Sequence, residues 1–262
     1  MAGSLKSTSE GRTLILTLSN PEHRNALSPD MYTAGVEALN AAENNPEIRS
    51  VIITGEGSTF CAGGDLQRLL ANRQSELDVL DVQTQSIDAL HSWIDSIRTF
   101  PKPIIAAVEG AAAGAGFSLA LASDFVVAAD NAIFLMAHSS VALSPDGGGS
   151  WALTRALSRT LVARMLMLGE RMPAVRLHAL GLVNELAPAG GAFAAALQLA
   201  EKLNQRAPNV MASVKELINE AQTHTFSEQL SSERHHFVKN LRHRNAGEGI
   251  EAFLQKRKAL YP

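Results

Sequence analysis

What this chain lacks narrows it first. It has one cysteine, Cys61, in 262 residues, which excludes an internal disulfide framework and suits a reducing compartment. Neither sign of charge dominates, since 23 basic against 26 acidic residues leave a net charge of -3. That balance argues against a general nucleic-acid or membrane-surface binder. No apolar run approaches the ~20 residues of a membrane-spanning helix. The opening segment, Met1 to Arg12, is polar and carries Glu10, unlike a secretory signal or a transit peptide. A cytoplasmic protein is the expectation. Two nucleotide signatures are also missing: no glycine loop is followed by Lys-Ser/Thr, and none has the G-x-G-x-x-G spacing. Aromatic residues are scarce at 5% and charged residues reach only 19%, yet apolar residues make up 46%. Such a chain has the material for a large aliphatic core.

What is present alternates between strand and helix signals. Leu14–Leu18 reads as a strand closed by Asn20-Pro21, and Ser28-Pro29 as an N-cap and first helical residue. Met31, Gly35, Ala38, Leu39 and Ala42 stripe the helix that follows. Val51–Thr54 is a buried strand, and Ala62-Gly63-Gly64-Asp65 is a tight loop before a short helix. Ile87, Leu90, Ile94 and Ile97 mark a longer helix that Pro101-Lys102-Pro103 stops. Ile104–Val108 is a second buried strand leading to Gly110–Gly116, where small residues crowd the start of an apolar helix, Phe117 to Ala122. Short strands at 125–127 and 133–135 precede another glycine turn, Ser144-Pro145-Asp146-Gly147-Gly148-Gly149, and a helix through Trp151, Leu153 and Leu157. The alternation indicates parallel pairing. From about Phe193 the pattern is helical to the end, and those apolar stripes need a surface to cover, such as a symmetric oligomer provides.

The 110–116 junction suits an oxygen that must accept negative charge, because a helix start offers unpaired N–H groups and positive dipole character. Either glycine loop alone is most simply a tight turn. Together, in this order, they carry a resemblance. The chain resembles the crotonase family, the enoyl-CoA hydratase/isomerase superfamily, through Asn20-Pro21 with Arg24-Asn25-Ala26-Leu27, Phe60–Leu66, Pro101–Gly110 and the central junction. Ala179–Val183 and Glu248–Arg257 extend the likeness over nearly the whole chain.

The resemblance implies an α/β fold, a spiral of ββα repeats over residues 1–192, with a C-terminal helical trimerisation region over 193–262. It implies an acyl-CoA thioester as ligand, no separate cofactor, and a homotrimer or hexamer with no nucleic-acid or membrane partner. By motif match the amides of Gly64 and Ala115 hold the thioester oxygen, within the loop residues Ala62, Asp65 and Gly114. Family members usually have glycine at Ala115. Arg24, Ala26 and Leu66 are placed near the CoA nucleotide, and Phe253 and Lys256 reach it from the last helices. The two water-handling glutamates of hydratases fall on Ser118 and His138 here, so ordinary hydration is not expected.

Pro145-Asp146-Gly147 stands where some isomerases carry a catalytic aspartate. Asp146 as base competes with Asp146 as a simple cap on the next helix. His138 is a second candidate for proton transfer. Ser118, in Gly116-Phe117-Ser118-Leu119-Ala120, faintly resembles a nucleophile elbow without its last glycine. Double-bond isomerisation on an enoyl-CoA or ring-derived thioester is the leading expectation. A hydratase or oxepin-CoA-type hydrolase, and a non-catalytic acyl-CoA or RNA-binding relative, stay open as alternatives. Cys61 reads as a small packed residue. His235, His236 and His243 show no carboxylate or thiol at ligand spacing, so no metal is expected. Residues 67–86, expected to line the acyl pocket, follow no readable rule.

Overall fold

The computed structural model describes residues 3–74 and 79–261. Met1 and Ala2 of the polar N-terminal segment, and 75–78 within the expected pocket-lining stretch, lie outside the described residues. In chain order the elements begin with β1 (Ser4–Glu10), β2 (Thr13–Ser19), α1 (Pro29–Glu43), β3 (Ser50–Gly55), α2 (Leu66–Gln74) and α3 (Val79–Thr99). They continue with β4 (Ile104–Val108), β5 (Ala111–Ala113), α4 (Ala115–Ala122), β6 (Phe125–Ala129) and β7 (Ile133–Leu135). Then come α5 (Gly149–Ala156), α6 (Arg159–Met167), β8 (Met172–Pro173), α7 (Ala174–Ala179) and β9 (Glu185–Ala187). Four helices finish the chain: α8 (Ala192–Asn204), α9 (Pro208–Glu220), α10 (Phe226–Leu241) and α11 (Arg244–Leu254).

The strands form two sheets, ordered β1-β2-β3-β4-β6-β9 and β5-β7-β8. In the larger sheet β2 through β9 pair in parallel, and only β1 is antiparallel. β4 and then β5, β6 and then β7, carry the chain from the large sheet to the small one, which is the repeating turn of a crotonase-like spiral. The aliphatic runs explain the large sheet. Val51, Ile53, Ile104, Ala106 and Val108 face the main core. Ile52, Ile105, Ala107 and Val127 face the other way, onto Ala196 and Ala200 of α8. Alanines at that contact bring the helix close to the sheet, so α8 covers a face of the sheet even though it follows the last strand.

Ser28 caps α1 as expected, its hydroxyl accepting from the Met31 N–H at 3.4 Å, with Pro29 in the first turn. Four strands went unread in the sequence: β1, β5 and the short β8 and β9. β1 is almost entirely exposed and polar, and is held by backbone pairing to β2 from Ser4↔Ser19 to Glu10↔Thr13. β5 is three alanines, whose strand character comes from pairing with β7.

A buried ion pair ties the C-terminal helices to the sheet. Lys215 of α9 donates to Asp124 Oδ2 at 2.7 Å and to the Ile97 carbonyl at 2.9 Å. The same Asp124 oxygen accepts from the Ile104 N–H at 2.8 Å, at the mouth of β4. Burial pushes the Asp124 carboxyl up and the Lys215 ammonium down, yet at 2.7 Å each stabilises the other's charge. Lys215→Ala should therefore leave an uncompensated buried carboxylate and lower unfolding free energy by about 3–5 kcal/mol. Urea unfolding at neutral pH measures this, and a loss below about 1 kcal/mol would mean the pair behaves as a solvated one.

Candidate active site

The first glycine loop is fixed from two sides. On one side Cys61 N–H donates to the Ala111 carbonyl at 3.0 Å and Ala113 N–H to the Cys61 carbonyl at 2.9 Å. On the other, Ala62 N–H donates to the Arg24 carbonyl at 3.0 Å and Leu27 N–H to the Gly63 carbonyl at 2.8 Å. Buried Asn25 braces the neighbouring chain, its amide nitrogen donating to the Glu56 and Thr59 carbonyls at 2.9 and 2.7 Å. The loop then touches the start of α4. Gly63 has φ +92°, and a Cβ there would lie 2.7 Å from the Ala113 carbonyl oxygen and 3.4 Å from the Ala115 nitrogen. A Cβ on Gly116 would lie 2.7 Å from the Cys61 sulfur. Only glycine permits either approach.

Two amides are left open by this arrangement. Among the described residues, neither Gly64 N–H nor Ala115 N–H has a protein acceptor. Ala115 opens α4 behind Gly114, which has φ +51° and contributes no side-chain cap. Its methyl group leaves the amide in place. Two open donors at a helix start, in a largely buried setting, form a candidate oxyanion hole.

The acidic side of the site comes from the turn before α5. Asp146 Oδ1 stands 3.3 Å from His138 Nε2. The His138 ring lies about 3.5 Å from the place a Gly114 Cβ would occupy, so it borders the open amides. Ser118 Oγ donates to the Asp146 carbonyl at 2.9 Å and holds the turn in place. The cap expectation for Asp146 does not survive: the N-cap of α5 is Gly148, with no side-chain cap hydrogen bond. Ser118, with its proton given to that carbonyl and no hydrogen bond to a histidine, does not form the hydroxyl–imidazole pair of a nucleophile elbow. His91, unforeseen in the sequence, accepts from the Gly147 N–H at 3.3 Å and props the same turn from α3.

Residues 9–262 match the family model described as enoyl-CoA hydratase/isomerase. The chain belongs to that family. It is an enzyme of the enoyl-CoA hydratase/isomerase type and has the crotonase fold. It is 34% identical to a 1,2-epoxyphenylacetyl-CoA isomerase of Escherichia coli, over 95% of this chain and 94% of that one. To a 2,3-dehydroadipyl-CoA hydratase of the same organism it is 35% identical, over 94% and 93%. A crystal structure of an enoyl-CoA hydratase from Polaromonas sp. JS666 superposes with a TM-score of 0.97 at 68% identity, covering 99% of this chain and 100% of that one.

Within this enoyl-CoA hydratase/isomerase chain the other expected residues divide. Arg24 and Ala26 lie in the segment bonded to the first loop, beside the open amides. Asp65 has a local job, its Oδ1 accepting from the Gln67 and Arg68 N–H groups at 2.9 and 3.2 Å, a cap on α2. Leu66 is 54% exposed at the start of that helix. Phe253, on the last turn of α11, is 83% exposed, and Lys256 follows with φ +53°. Tyr32 of α1, passed over in the sequence, is hydrogen-bonded to Arg68 of α2 and lies within reach of the Asp146 charge. The histidine reading needs a correction. His236 does have carboxylates nearby, Glu216 and Glu220 of α9, with candidate ligand atoms all within 4.8 Å of one another. Sequence spacing hid them because they come from another helix.

Clefts also open elsewhere on the molecule. One of 470 Å³ is walled by Arg98, Trp151, Val214, Lys215 and Ile218. Cys61 is fully buried, and burial pushes its thiol up to about 12. The neutral form therefore prevails well into alkaline solution, and a neutral thiol is a poor nucleophile. Native protein at pH 9 should resist iodoacetamide for hours, and denatured protein should take up one label by mass spectrometry. Rapid labelling of the folded protein would refute that placement.

Proposed function

We propose that this enzyme forms an enolate from an enoyl-CoA thioester and shifts its double bond, with Asp146 as the base. The Asp146 carboxylate takes a proton from the carbon α or γ to the thioester carbonyl. The electrons move onto the carbonyl oxygen, where the amides of Gly64 and Ala115 receive the negative charge. The same proton returns at the other carbon, which moves the double bond and leaves no net charge. Each preorganised amide contributes roughly 3 kcal/mol to lowering the barrier, and a positioned base on the order of 100- to 10,000-fold.

One observation carries this reading. The main chain of Asp146 is held by Ser118, and its carboxylate, used by no helix cap, meets His138 beside the open amides. Ser118 and His138 stand where hydratases have glutamates, so a water lacks its usual two carboxylates. The likeness to a relative named for 1,2-epoxyphenylacetyl-CoA isomerisation supports a ring-derived thioester as one substrate. A second reading, water addition or ring opening, is favoured by the His138–Asp146 contact, since an imidazole–carboxylate pair can also activate water.

Arg24, Ala26 and Leu66 would flank the CoA nucleotide, and Phe253 and Lys256 would meet it from a neighbouring chain in a trimer or hexamer. Support for that assembly comes from the uncovered apolar side chains of the outer helices, with Met167 and Leu168 73%, Phe237 70% and Leu254 74% exposed. Light scattering at micromolar concentration should give three or six chains per particle, and a 27.9 kDa monomer would contradict it.

Asp146→Asn keeps the size of the side chain and removes the proton acceptor. In deuterated water, α/γ proton exchange on an enoyl-CoA should fall on the order of 100-fold or more, with the thermal midpoint and ester binding nearly unchanged. Unchanged exchange would remove Asp146 from the role and make His138 the leading candidate.

A further inference from the structure

Arg68 is a cation with no carboxylate partner among the described residues. It stands on α2, four residues past Gly64 in the chain. Its Nη1 donates to Ser86 Oγ on α3 at 3.1 Å. Its Nε is buried and has no partner among the described residues, and no described carboxylate pairs with it. The nearest acid in sequence, Asp65, spends one oxygen on the cap of α2.

Tyr32 shares these surroundings. It is 3% exposed, and its phenol is pushed up to about 12, chiefly by burial; the Arg68 cation opposes the rise and the Asp146 carboxylate adds to it. One hydroxyl thus accepts a hydrogen bond from the Arg68 guanidinium and feels the charge of the candidate base. At neutral pH it remains a protonated donor. A buried donor left unmade is costly, and a guanidinium presents donors in a fork that suits oxygen acceptors. The unpartnered Arg68 Nε–H, with the Tyr32 hydroxyl that Arg68 holds near the Asp146 charge, suits an oxygen acceptor carried by the acyl chain.

We propose that Arg68 and Tyr32 form a polar end wall of the acyl pocket and recognise an oxygen function beyond the thioester carbonyl. This rests on the reading that the two glycine loops hold a thioester. The oxygen has two possible sources, a terminal carboxylate or a neutral hydroxyl or ring oxygen, and both accept from the same pair of donors.

Three saturated CoA esters, which need no turnover, separate the cases by titration calorimetry: hexanoyl-CoA, its 6-hydroxy derivative, and the mono-CoA ester of hexanedioic acid. Wild type should bind at least one oxygenated ester about tenfold or more tighter than hexanoyl-CoA, the usual worth of a hydrogen bond to a charged group. Preference for the diacid ester identifies a carboxylate, and preference for the hydroxy ester a neutral oxygen. Arg68→Met should abolish the preference and leave hexanoyl-CoA binding within about twofold, while Arg68→Lys keeps part of any carboxylate preference. Tyr32→Phe should weaken the preferred ester alone. Equal binding of all three by wild type would overturn the proposal. So would an equal loss for all three in Arg68→Met, because Arg68 would then serve the CoA phosphates. Failure of wild type to bind any ester would instead strike at the thioester reading beneath it.

Discussion

The site depends on how closely two loops approach each other. A side chain of any size at Gly63 would press into the Ala113 carbonyl, and one at Gly116 into Cys61. With both absent, the end of the β3 loop and the start of α4 meet at backbone distance. β3 and β4 are parallel neighbours, with Thr54 opposite Ala107, so both loops leave the sheet at the same edge. The carboxyl edge of parallel strands is where such folds place ligands. The open amides are therefore a consequence of sheet order plus two missing Cβ atoms.

The turn that carries Asp146 is set by a similar economy of space. A Cβ on Gly147 would lie 2.9 Å from that of Ser118, and both Gly147 and Gly148 have positive φ. The turn is pressed onto α4 and cannot drift from it. Ser118 anchors the backbone of the acid it stands beside.

Much of this was legible in the sequence because it rests on local pattern. The runs Val51–Thr54 and Ile104–Val108, the Ser28-Pro29 helix start and the glycine loops each announce themselves within a few residues. The family resemblance then singled out Gly64, Ala115 and Asp146 as candidates. Features made by distant partners stayed hidden. β5 is three alanines that become a strand only against β7, and β1 is polar because its faces are wet. Arg68, Tyr32 and His91 sit on ordinary-looking helices, and their importance arises only where α1, α2 and α3 converge. Glu216 and Glu220 approach His236 across two helices, a proximity no linear spacing displays.

The central claim is that the amides of Gly64 and Ala115 polarise a thioester carbonyl. Isotope-edited infrared difference spectroscopy reads this directly, with an enoyl-CoA carrying carbon-13 at the thioester carbonyl and bound to the Asp146→Asn variant so that it persists. Two hydrogen bonds should move the carbonyl stretch to clearly lower frequency than in free ester. A bound ester whose carbonyl band stays at the free position would contradict the account.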